Sequence, residues 1–108
     1  MVQYWLSLFT PETWGATEKN GFKVTGFRKS REKISKKIKP GDLFICYITK
    51  ISRFSGILEA TSSGYINEEK SKEIWGTEDF SCIVDVKPKI TFDITHSIPK
   101  EEVFKKLQ

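Results

Sequence analysis

Between Pro40 and Ala60 the chain reads Pro-Gly-Asp, then the apolar run Leu43-Phe44-Ile45-Cys46-Tyr47-Ile48, then a polar and basic segment, then Gly56-Ile57-Leu58-Glu59-Ala60. Pro40-Gly41-Asp42 is a turn signal that opens a strand. The run after it is apolar on both faces, the pattern of a strand covered on both sides. Thr49 to Phe54 turns the chain and Gly56 onward returns, so the stretch predicts a hairpin at the centre of a small β structure. The flanking segments must then build on it.

Gln3 to Phe9 alternates and predicts a first strand. Thr10-Pro11-Glu12 opens a helix with a hydroxyl at the N-cap, Pro in the first turn and an acid beside it, and Asn20-Gly21 can end it. Trp14 on this helix reads as a core anchor. Phe22 to Phe27 is extended, with Gly26 allowing close approach of its backbone to another strand or to a ligand. Ser30 is placed to cap a second helix over 31–38, its Ile34 and Ile38 on the sheet and its lysines outward. Tyr65-Ile66 is extended, and Asn67 caps a helical turn through Lys72. Trp75-Gly76 falls in a polar loop. Phe80 to Val86 alternates as a half-buried strand that Pro88 ends. Residues 90–92 add an edge strand, and a last helix starts at Ser97 or Ile98-Pro99. About five to six strands with three short helices predict an α+β fold, a small mixed-β barrel with helices over it.

At 108 residues the chain is read as one domain spanning 1–108, either alone or as the N-terminal reader module of a larger protein. No stretch reaches membrane-spanning length. Cys46 and Cys82 lie in predicted strands, as buried free thiols rather than a disulfide, which points to a cytoplasmic protein. One histidine and no Cys-x-x-Cys make a metal site or other cofactor unexpected. No nucleophile has a visible base and no phosphate-cradling Gly-rich loop occurs, so no enzymatic activity is expected.

Charge is the stronger signal. The net +4 conceals nine basic residues against two acidic ones between Glu18 and Lys39, whereas ten acidic residues outnumber seven basic ones from Ile57 onward. Arg28, Lys29, Arg31, Lys33, Lys36 and Lys37, with Lys50 and Arg53 in the hairpin, form a candidate polyanion-binding face. A solvated helix surface is the competing reading.

Tyr4-Trp5-Leu6, Trp14, Gly26, Lys39-Pro40-Gly41-Asp42, Tyr47, Phe54-x-Gly56-Ile57, Tyr65 and Phe80 to Pro88 together resemble the EVE domain. That family belongs to the PUA-like superfamily and is similar in fold to the YTH readers of methylated RNA. The resemblance implies a PUA-like barrel that reads a modified nucleobase flipped into an aromatic pocket. Modified DNA is the favoured partner, in modification-dependent restriction beside a fused or associated nuclease or GTPase. Carried onto this chain, Trp75 matches a cage tryptophan. The second cage ring falls near Thr25, beside Gly26, with Phe27 or Trp5 available to replace it, and Tyr47 completes the implied pocket. The motif of an Arg after a Pro-aromatic pair is lost at Ser81-Cys82-Ile83, so the resemblance does not specify the base. The alternatives are a general RNA-binding PUA-like module and a protein-interaction domain.

Overall fold

The computed structural model describes residues 2–91 and 98–99. β1 (Tyr4–Phe9) lies parallel to β3 (Leu43–Ile48), with Tyr4 opposite Leu43 and Phe9 opposite Ile48. A parallel pair needs a long crossover. Here it carries α1 (Pro11–Lys19), β2 (Val24–Phe27) and the one-turn α2 (Glu32–Ser35). The central hairpin forms as expected: β3 turns back into β4 (Arg53–Ala60), antiparallel to it. With β6 (Cys82–Thr91) the sheet order is β1-β3-β4-β6-β2, and the two-residue strands β5 (Tyr65–Ile66) and β7 (Ile98–Pro99) pair with β6 and β4. Register shifts between Cys46 and Tyr47, and between Ile57 and Leu58, bend the sheet into a curled half-barrel. β1 and β2 are its two ends. This is the α+β, PUA-like architecture that the sequence predicts.

Phe44, Cys46 and Ile48 point inward and are fully buried, packed with Leu58, Val84 and Ile38. Each such aliphatic or aromatic side chain contributes about 1.5–3 kcal/mol. The alternate residues of β3 (Leu43, Ile45 and Tyr47) are only half-buried on the outer face, so the strand is not fully covered on both sides. The inner layer is closed by α1. Thr10 caps it reciprocally with Thr13, and Trp14 packs edge-on against Phe9 at 5.0 Å and at a tilt against Phe22 at 5.1 Å. Trp14 is the anchor expected.

The turn before β3 is held by Asp42, which is buried. Its carboxylate accepts from Gln3 N–H at 3.2 Å, Trp5 Nε1–H at 3.0 Å and Lys39 N–H at 3.0 Å. Burial acts to raise the Asp42 carboxyl, but the donated bonds and the nearby Lys39 charge outweigh it, so the group titrates below its ordinary value.

Four expectations are corrected. Ser30 caps nothing: it sits inside a 3-10 turn (Lys29–Arg31), and α2 ends at Ser35 after a single turn. Pro88 does not end its strand, because β6 runs on to Thr91 and takes in Ile90 and Thr91 of the expected edge strand, whose last residue lies outside the described residues; Pro88 sits opposite Leu58 at a register shift, where a missing N–H is tolerated. Trp75 is not in a loop: it is the last residue of α3 (Glu68–Trp75), which Asn67 caps and a left-handed Gly76 (φ 73°) ends. Ile98–Pro99 is a short strand on β4 rather than a helix start, and the rest of the expected last helix lies outside the described residues.

Candidate functional site

Among the described residues the half-barrel does not close. In the opening between β1, β2 and α2 lies a cleft of about 490 Å³. Each wall has a local cause. Trp5 projects from β1, and its indole is fixed by donating to Asp42, so the turn before β3 also sets a ring in the cleft. Phe27, from the end of β2, packs on Phe44 at 5.7 Å and keeps its other surface for the opening. Phe80 ends a 3-10 turn (Glu78–Phe80) and contributes a third ring. The guanidinium of Arg28 lies over the Phe80 ring, 5.4 Å from its centroid, a cation–π contact that places the charge at the mouth. Arg31 also lines the cleft, and both arginines are exposed. An aromatic interior with a doubly cationic mouth suits a planar ring attached to an anion.

Of the residues expected in a base pocket, Trp5, Gly26 and Phe27 are brought together here. Trp75, Thr25 and Tyr47 are not among the lining residues. Trp75 stands one layer behind the wall: it donates Nε1–H to Thr17 Oγ1 at 3.2 Å and meets Phe80 edge-on at 5.7 Å. Its ring occupies the space that a side chain at residue 26 would need, since a Cβ on Gly26 would stand 2.8 Å from it and 2.7 Å from the Phe80 carbonyl oxygen. The close approach that Gly26 foreshadows is therefore to Trp75 and Phe80. Thr25 pairs with Val84 in the ladder and is fully buried. Tyr47 lies half-buried on the outer face of β3, opposite Leu8 and Phe54.

Among the basic residues, Arg28 and Arg31 line the cleft, and Lys29, Lys33, Lys36 and Lys37 are exposed around it on the 3-10 turn, α2 and the following turn. Lys36 is paired with Glu32 at 3.0 Å. Lys50 and Arg53 are set apart. They flank the β3–β4 turn, at the opposite end of β3 from Lys39 and Pro40, and Lys50 stands 4.0 Å from Glu12. Six strand residues separate the two ends, roughly 20 Å at about 3.3 Å per residue.

Sequence reasoning missed Phe80, Ile34, Leu6 and Leu8 as cleft residues. Phe80 kept the alternation of residues 82, 84 and 86 and so read as strand. Ile34 read as sheet-facing, but α2 is too short to carry both of its isoleucines inward: Ile38 is buried and Ile34 is exposed at the rim. Burial pushes the Cys46 thiol up to about 12 and also raises Cys82, so neither is a nucleophile near neutrality. No cluster of three or more His, Cys, Asp or Glu side chains able to hold a metal occurs among the described residues, and no described helix is long and apolar enough to cross a membrane.

The family model of the EVE domain matches residues 3–107. A hypothetical protein from Leishmania major superposes with a TM-score of 0.66 at 18% identity, over 97% of this chain and 74% of that one. The YTH domain of Zygosaccharomyces rouxii MRB1, solved with N6-methyladenosine RNA, gives 0.62 at 14% identity over 98% and 86%. Human THYN1, solved with 5-methylcytosine DNA, gives 0.61 at 13% identity over 96% and 75%. No curated protein sequence matches the chain.

Proposed function

Because the chain belongs to the EVE domain family, we propose that it binds nucleic acid and receives one extruded, modified base in the cleft between β1 and β2. The observation that carries this reading is the cleft itself, about 490 Å³, walled by Trp5, Phe27 and Phe80, with Arg28 and Arg31 at its mouth. Taking a base out of its stack costs a few kcal/mol. Contact with aromatic walls returns roughly 1–3 kcal/mol, and a guanidinium pair on the flanking phosphate adds charge-assisted hydrogen bonds. The two structural neighbours solved with methylated RNA and methylated DNA support this use of the fold. In this reading the protein is a binding module without catalytic activity, and DNA restriction with a nuclease or GTPase partner is its setting.

A general RNA-binding role is the second reading. It is favoured by exposed lysines that surround the cleft without entering it. Short duplexes and single strands separate the two when each is compared unmodified and with one N6-methyladenine, 5-methylcytosine or 5-hydroxymethylcytosine. The modified-base reading expects one modified form to bind about tenfold tighter or more, equivalent to about 1.4 kcal/mol. Equal binding of the modified and unmodified forms of every strand, DNA and RNA alike, would replace it with the second.

A further inference from the structure

β1 gives one edge to β3, and no strand pairs with its other edge among the described residues. In a parallel pair, alternate residues of a strand turn both N–H and C=O towards the neighbour. Gln3 C=O accepts from Leu43 N–H at 3.0 Å, and Phe9 C=O accepts from Thr49 N–H at 2.8 Å. The odd-numbered residues of β1 therefore face β3. The amides and carbonyls of Tyr4, Leu6 and Leu8 face the free edge, and Leu6 and Leu8 are cleft residues. Both residues stand out at the rim, 66% and 59% exposed. The cleft thus has apolar walls and, along one side, a row of main-chain donors and acceptors that no strand pairs among the described residues.

On such an edge the C=O of one residue and the N–H two residues later are neighbours that point the same way. Every nucleobase carries a matching pair on its Watson–Crick edge, one donor beside one ring or exocyclic acceptor. We propose that the free edge of β1 reads that pair, with Leu6 C=O accepting from the base and Leu8 N–H donating to it. This rests on the reading of the cleft as a base pocket. It names the class of modification admitted. A methyl on C5 of a pyrimidine leaves the pair intact, and one methyl on an exocyclic amine leaves one N–H, which completes the pair when the methyl turns away from the ring acceptor. Two methyls on the amine remove the donor, and a methyl on the ring nitrogen blocks the acceptor; either strands a backbone group against the base.

The test uses single strands that differ at one central position, carrying N6-methyladenine, N6,N6-dimethyladenine, 5-methylcytosine, 3-methylcytosine or an abasic site. For at least one of the two bases, the form that keeps the pair is expected to bind tenfold or more tighter than its partner that lacks it. Leu8→Pro removes only an N–H that faces away from β3, a position where proline is tolerated. It should abolish that difference, whereas Leu8→Ala, which keeps the N–H, should preserve it. Equal binding within both base pairs, each above the abasic strand, would overturn edge reading and leave the base pocket standing. Binding of all five strands alike would remove the pocket and this proposal together. If Leu8→Pro does not fold, the strand series on the unaltered protein decides.

Discussion

Gly26 shows how a single residue connects the packed interior to the cleft. It lines the opening on one side and lies under the Trp75 ring on the other, with no room for a Cβ. Gly26→Ala should therefore destabilise by about 1–3 kcal/mol through overpacking, read as a lowered thermal midpoint, and should weaken cleft binding by shifting Phe80. Trp75→Ala acts from behind. A buried Trp→Ala change costs about 3–5 kcal/mol, and for this half-buried ring about 2 kcal/mol is expected, because the bond to Thr17 and the Phe80 contact go with it. An unchanged melt for Trp75→Ala would show that the ring carries no packing. Thr25 gives the opposite prediction. Its hydroxyl is buried and has no hydrogen-bond partner among the described residues. Thr25→Val keeps the shape and drops the stranded oxygen, so its stability should be unchanged or higher by about 1 kcal/mol; a loss above that in denaturant titration would reveal a partner. At this scale the sequence was informative about types and not about neighbours. A glycine in a short strand announces a close approach, but nothing in the linear order says that residue 75 makes it.

At the scale of elements, the hairpin, β1 and α1 were legible because each carries strong local chemistry: a Pro-Gly-Asp turn, strict alternation, and a hydroxyl-Pro-acid start. α2 was legible only as a position. Its lysines and isoleucines fit a two-turn helix, but the geometry of the short crossover leaves one turn. The Pro40-Gly41-Asp42 turn joins fold to site, since Asp42 ties β1 to the start of β3 and holds the Trp5 indole. Asp42→Asn can no longer accept on both oxygens and should lower stability and weaken cleft binding together. The pH dependence follows from the sign of the shift. Asp42 titrates below its ordinary 3.8 in the folded protein, so its contribution is fully present above that value and is lost as pH falls through the lower folded value. The stability difference between the native protein and Asp42→Asn should be constant from neutrality to about pH 5 and shrink below 3.8. A difference that grows on acidification would mean the carboxylate is not stabilised by the fold.

Across the whole molecule, charge and cleft sit together, and this is what gives the basic segment a direction. The lysine-rich stretch is the crossover that runs past the opening between the two ends of the sheet, so Arg28 and Arg31 enter the mouth while Lys29, Lys33 and Lys37 surround it. The hairpin cations do not join this face. Lys50 lies at the far end of β3, near Glu12, a separation invisible in a sequence where both groups are simply basic. Nucleic acid bound over the mouth should then meet about three to four phosphates, and on a duplex the slope of log affinity against log salt should be roughly −3 to −4. Reversing Lys33, Lys36 and Lys37 to Glu should weaken modified and unmodified strands by the same factor, because phosphate contacts carry no base information. Arg28→Ala with Arg31→Ala should do more. These groups touch both the cleft and its approach, so the preference for a modified base should fall along with the salt slope. Lys50→Ala should change neither. The measurement is a salt titration of each variant on a matched pair of modified and unmodified strands. A slope reduced by Lys50→Ala and left intact by the triple reversal would place the nucleic acid across the hairpin end of the sheet, away from the cleft.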